Sequence, residues 1–271
     1  MHAEFIHYVQ RRIISRYPTD IESPWYSELL DYKNNFNKPI YHITRSIAWP
    51  ATSVEKGDVI WLVSQLSSPW GKLPPSIDAF IEVSSIEKIL DKNKKILKIL
   101  YRASDCSKWF PLVDASEMLA NLQFCFKNNE KPESWNQEKA IIGQFFQSMK
   151  RIHPTKTKII REWKEVIGNR DFYFLSYRII DGTKIAFMKV NSLMKENKPV
   201  FWDRWSLPRR LAERRELVPK EPLDLFIIEN ISKAKKVYCI KSPRYGEAKS
   251  YSAKERALAI RLNKYVSVTM V

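Results

Sequence analysis

Tyr251 and Glu255 stand four residues apart, a spacing that puts both side chains on one face of a helix. The stretch Ser252-Ala253-Lys254-Glu255 also reads as a capping box, with Glu255 reaching back to the Ser252 amide. Arg178 closes the apolar run Asp171-Phe172-Tyr173-Phe174-Leu175-Ser176-Tyr177. That places it at the carboxyl end of an expected strand, where open α/β sheets bind ligands; an ion pair with a nearby acid is the alternative. Arg204, Arg209, Arg210, Arg214 and Arg215 fall within twelve residues, with Glu213 and Glu216 among them. They suit a solvated face, a contact between subunits, or phosphate binding. Other chemistries find no footing. Cys106, Cys125 and Cys239, and likewise His2, His7, His42 and His153, are too scattered for a disulfide framework, a zinc pattern or a ligand pair. No Ser-His-Asp or Cys-His order suits a nucleophilic enzyme, and there is no glycine-rich phosphate loop.

The elements that must position these residues follow from the hydrophobic pattern. A chain of 271 residues, 44% hydrophobic and 28% charged, holds about two domains and is neither disordered nor collagen-like. No apolar run approaches the ~18 residues of a membrane span, and the N-terminus lacks a secretory apolar region; a cytoplasmic protein with no membrane partner and no bound metal is expected. Net charge is +16. Residues 161–271 carry 24 Lys and Arg against 13 Asp and Glu, a surplus of 11, which favours acidic partners such as nucleic acid or nucleotides.

Phe5, Ile6, Val9, Ile13 and Ile14 predict an amphipathic helix over 2–16, ended by Tyr17-Pro18-Thr19-Asp20. Strands are expected at Asp58–Val63, Asp78–Val83 and Ile96–Tyr101, and a helix over 137–151 after the polar run Asn128–Glu133. The second half alternates. Strands at Asp171–Tyr177, Val200–Trp202, Val237–Ile240 and Tyr265–Val271 are separated by helices over 183–196, around Leu223, Phe226, Ile227 and Ile231, and over 252–263. Such alternation implies a parallel sheet covered on both faces. The boundary, near Pro154 within 152–165, divides the chain into units 1–155 and 165–271.

Asp171–Tyr177 followed by Arg178 resembles the first box of TIR (Toll/interleukin-1 receptor) domains: an acidic residue, an apolar run, then Ser-Tyr/Phe-Arg. Val200-Phe201-Trp202-Asp203 with Leu207-Pro208 is similar to the second box, although Arg209-Arg210 follow where many members have glycine. Ser242-Pro243-Arg244-Tyr245, then Tyr251 and Glu255, resembles the third stretch, whose aromatic is commonly Trp. Four of the family's strands are expected without the usual fifth strand and last helix, as in a short variant or a sheet whose edge a partner completes. The resemblance implies a flavodoxin-like parallel sheet and cleavage of NAD, as substrate and not as cofactor, by a glycohydrolase or cyclase. In that chemistry the nicotinamide–ribose bond breaks through an oxocarbenium-like state, and because the ring is already a cationic pyridinium it departs as neutral nicotinamide without a general acid. One carboxylate, Glu255, would hold the ribose and stabilise the growing positive charge. Tyr251 would stack or wall the pocket, Arg178 would pair with the pyrophosphate, and Tyr177, Trp202, Asp203, Tyr245 and Ser250 complete the expected substrate-binding set. The resemblance further implies self-association, with a neighbour's second-box loop completing the site, and an effector role in bacterial anti-phage defence.

In the first half, Ala48-Trp49-Pro50, Lys56-Gly57-Asp58 leading into Val59–Val63, Ala79–Val83 and Trp109-Phe110-Pro111-Leu112 resemble PUA-like barrels of the EVE and ASCH type. This implies an α+β sensor domain binding nucleic acid or a nucleotide, with Trp49, Trp70 and Trp109 as stacking candidates; core tryptophans are the other reading. A non-enzymatic TIR scaffold and a nucleic-acid-binding protein remain the rival functions.

Overall fold

A computed structural model describes residues 2–9, 11–12, 38–125, 132–136, 138–206 and 220–269. The fold is mixed α/β, with one large mixed sheet, one parallel sheet and one small sheet.

The large sheet contains Glu4–Tyr8 (β1), Tyr41–Thr44 (β3), Val59–Ser64 (β4), Ser76–Leu90 (β7), Ile96–Ala103 (β8), Lys108–Trp109 (β9), Phe124–Cys125 (β10) and Lys150–Ile152 (β11). Its order is β10-β11-β1-β4-β7-β8-β3, with β9 added beside β7. Arg11–Arg12 (β2), Leu66–Ser68 (β5) and Gly71–Lys72 (β6) make the small sheet.

The helix expected over 2–16 is instead a strand at Glu4–Tyr8, parallel to β4 and antiparallel to β11. Both faces of this strand are covered. Phe5 enters one core with Ile60 and Leu62, and Ile6 enters the opposite core with Trp61 and Val63. Consecutive apolar residues are what a doubly covered strand requires, and over so short a run they also fit a helical stripe. Ile13, Ile14 and the turn at Tyr17–Asp20 lie outside the described residues. The helix expected over 137–151 shrinks to one turn at Ile142–Phe145, preceded by Ser116–Ala120 as α1 and itself α2. Lys150–Ile152 is taken by the sheet between β1 and β10.

The expected strands at 58–63, 78–83 and 96–101 are present, within β4, β7 and β8. Register shifts between Val83 and Ser85 let β7 pair with β4 at one end and with β8 at the other, curling the sheet. The edge strand β3 thereby lies over β1, and His42 meets His7 with Nδ1 of His7 2.8 Å from Nε2 of His42. Two of the four histidines, His7 and His42, are thus a buried couple, with His42 stacked on Tyr101 and His7 3.3 Å from the Gln147 carbonyl. Burial lowers the His7 pKa from 6.5 to about 4 and moves His42 the same way, each with less room for a proton in the folded state than in the unfolded one. Stability is therefore complete above pH 6.5 and is lost as pH falls toward 4, by about 3 kcal/mol for His7 alone. Melting temperatures between pH 8 and 5 are expected to fall below pH 6.5; a flat profile contradicts this.

After Pro154 the chain makes a single 3-10 turn and then helix Thr157–Gly168 (α3), whose Ile160 and Ile167 join the core beneath the large sheet. The parallel sheet follows: Tyr173–Ser176 (β12), Val200–Phe201 (β13), Lys236–Lys241 (β14) and Tyr265–Thr269 (β15), in the order β13-β12-β14-β15. Its helices are Ile179–Lys195 (α4), Asp203–Ser206 (α5), Lys220–Lys233 (α6) and Tyr251–Arg261 (α7). Helix α4 covers one face through Ala186, Phe187, Val190 and Leu193. Phe226 and Ile231 of α6 and Ala259 of α7 cover the other. The two sheets are joined: Leu66, Leu73 and Leu112 enter the α4-side core, and Leu112 and Val200 exchange backbone hydrogen bonds of 2.9 and 2.8 Å. No helix among the described residues is long and apolar enough to cross a membrane.

Candidate active site

In the strand order β13-β12-β14 the chain direction of travel reverses beside β12, and the carboxyl ends of strands at such a reversal are where open α/β sheets bind ligands. Ser176, the last residue of β12, is fully buried there beside Cys239 of β14. Strand parity decides what each side chain meets. Ser176 points to the face covered by α7, and the next residue, Tyr177, to the face covered by α4.

Ser176 Oγ donates to Glu255 Oε2 at 2.6 Å, and Tyr245 OH lies 2.9 Å from the same hydroxyl. Since the one serine proton goes to the carboxylate, the phenol donates to the serine, and a line Tyr245–Ser176–Glu255 results. Burial pushes the Cys239 thiol up to about 11 and drives the Tyr245 phenol higher, so both stay neutral near pH 7. The thiol is thereby kept protonated, which lowers its nucleophilicity.

Helix α7 starts at Ser250, whose hydroxyl accepts the Ala253 amide at 3.1 Å. The cap thus falls two residues before the expected Ser252, and Glu255 is aimed at β12. Tyr251 and Glu255 share a cleft of about 380 Å³ between α6 and α7, lined also by Asp224, Ile227, Ile231 and Leu258. Arg178 precedes α4 and donates to Glu247 at 3.1 Å, the ion pair with a nearby acid that was its alternative reading.

Three of the expected residues are elsewhere. Tyr177 donates to Asp203 Oδ1 at 2.8 Å on the α4 side of the sheet. Trp202 is completely buried there, against Tyr177 and Phe187, and is core. Glu255, Tyr245, Ser250 and Tyr251 gather on the opposite side. Ser176, Cys239, Arg244 and Glu247 were not singled out from the sequence; a small polar residue ending a strand on the buried parity of Phe174 is the signal that marks Ser176. Leu207, Pro208, Arg209, Arg210, Glu213, Arg214, Arg215 and Glu216 lie outside the described residues, as does the side chain of Arg204. In the first unit, Trp70 packs on Phe187 of α4, while Trp49 and Trp109 are half-buried.

The comparisons with known proteins give no relative. No family model, curated protein or solved structure matches the chain. The activity therefore rests on the resemblance of the sequence motifs, and the mechanism on the residues and their geometry.

Proposed function

We propose that the chain is a TIR-type NAD glycohydrolase or cyclase, with Glu255 as its catalytic carboxylate and the α+β first unit as a sensor for nucleic acid or a nucleotide. The observation that carries this reading is the Glu255 carboxylate, fixed by Ser176 at the carboxyl end of the first parallel strand and opening with Tyr251 onto the cleft. The strand order second-first-third-fourth is compatible with a flavodoxin-like sheet. A ribosyl cation forming in the cleft meets a negative charge already held in place, so little reorganisation is needed as the bond breaks. The apolar side chains of Ile227, Ile231 and Leu258 on the cleft wall suit the flat leaving ring, with Lys254 and Arg261 also lining the cleft. Assembly through the second-box segment, with activity rising on association, belongs to the same reading, as does service in bacterial anti-phage defence.

The test is release of free nicotinamide from NAD by the purified chain at increasing concentration. Ser176→Ala is expected to lower kcat about tenfold with little change in KM, because it frees the carboxylate to leave its working position. An unchanged kcat, with the variant folded, contradicts the positioning role. A non-enzymatic scaffold predicts no release at any concentration. A nucleic-acid binder predicts tight, steeply salt-dependent binding that survives Glu255→Gln.

A further inference from the structure

The carboxylate of Glu247 lies between two guanidiniums. Arg178 Nη2 donates to its Oε2 at 3.1 Å, while Arg244 grips it with two prongs, Nε to Oε1 at 2.6 Å and Nη2 to Oε2 at 3.1 Å. Arg256 is close by: a Cβ on Gly246 would come 3.5 Å from its Nη1. Arg244 foremost, then Arg178, holds the Glu247 carboxyl below its usual range. Gly246, at φ +79°, makes the left-handed turn that swings Glu247 back over the arginines. The loop is tied at both ends, by Ser242 Oγ and the Arg244 amide to Asp181 at 2.6 and 2.8 Å, and by Ser250 at the start of α7.

The forked geometry that two arginines offer a carboxylate is the one they offer a phosphate. The side chains of Arg178, Glu247 and Arg244 are 29%, 39% and 49% exposed, so a solute reaches them. Ion pairs this exposed are weak, and a more highly charged anion can displace the glutamate.

We propose that Arg178 and Arg244 form a diphosphate-binding site and that Glu247 is a built-in anion occupying it until a diphosphate takes its place. The choice of a diphosphate rests on the dinucleotide reading above; the displacement of Glu247 by an anion does not. The site shares its loop with the residues that steady Glu255: Arg244 adjoins Tyr245, which donates to the Ser176 hydroxyl that holds the carboxylate.

Calorimetric titration of the full chain with inorganic pyrophosphate tests this. Glu247→Gln is expected to bind about tenfold more tightly than wild type, and Arg244→Gln added to it is expected to remove the gain. Glu247→Asp, which keeps the charge but shortens the reach, is expected to fall between and serves if Glu247→Gln melts early. Equal affinity in wild type and Glu247→Gln, or a gain that survives Arg244→Gln, overturns the proposal. Competition by NAD supports the substrate's own diphosphate as the occupant; pyrophosphate undisturbed by saturating NAD overturns that choice. Turnover is not needed for the readout. The comparison of wild type, Glu247→Gln and its Arg244→Gln double variant is read by binding alone, so failure of NAD cleavage and failure of this site are told apart.

Discussion

Glu255→Gln is expected to lower NAD turnover at least about a hundredfold while leaving the fold intact. The substitution keeps the shape of the side chain and an oxygen able to accept from Ser176 Oγ, which donates to Glu255 Oε2 at 2.6 Å. It removes only the charge. Loss of one preorganised electrostatic partner of a transition state costs about 10²–10³ in rate. In the proposed reaction the oxocarbenium-like state would carry the positive charge that Glu255 answers, and the ground-state ribose would not, so kcat is expected to fall more than KM changes. Retained turnover, with an unchanged melting temperature, removes Glu255 from the chemistry. Lost turnover with a lowered melting temperature would instead mark a structural role.

Trp205→Ala is expected to destabilise the protein by about 3–5 kcal/mol, the range for truncating a fully packed aromatic. Trp205 is 2% exposed and joins the core shared by the two sheets, and its Nε1 donates to the Phe110 carbonyl at 3.0 Å. Truncation opens a cavity beside Trp202 and leaves a carbonyl of the first unit without its donor. Since Leu112 also exchanges backbone bonds with Val200, this seam ties the Phe110–Leu112 segment to the segment ending at Ser206. The wild type is expected to unfold by denaturant in one transition, and Trp205→Ala in two, at lower denaturant. Trp205→Phe is expected to recover most of the loss. A single transition at the wild-type midpoint in Trp205→Ala contradicts the coupling.

The second half was legible because each of its elements carries its own local signal. The run Tyr173–Ser176, the apolar stripe Ala186, Val190 and Leu193, and the short strand Val237–Ile240 are all recognisable without knowing their partners. Strand β1 was not. Its burial on both faces depends on β4 and β11, which are 55 and 146 residues away at Glu4↔Val59 and Phe5↔Arg151. The outer half of β7 was also missed: Ser85, Glu87 and Lys88 interrupt its apolar residues, and only pairing with β8 keeps it extended. His7 and His42 meet because the sheet curls, a property no local pattern carries.

At the site, the sequence marked Glu255, Tyr245, Ser250 and Tyr251 but treated Tyr177, Trp202 and Asp203 as their neighbours. Alternation along β12 separates them. Tyr177 follows Ser176 by one residue and therefore faces α4, where Trp202 and Asp203 meet it. The hydroxyl that reaches Glu255 is one position earlier in the same motif. Glu247 and Arg244 escaped notice because a surface acid between arginines has no periodicity to betray it; only the turn at Gly246 brings them together.

The most direct measurement is nicotinamide release from NAD by the purified full chain at high concentration, wild type beside Glu255→Gln, with melting temperatures recorded for both. Chromatography of the sugar product would then distinguish linear from cyclic ADP-ribose. The account predicts stoichiometric loss of NAD and release of nicotinamide by the wild type, and release at least about a hundredfold slower from the equally stable variant. Equal release by both proteins, or none from wild type when folded and assembled, would contradict it.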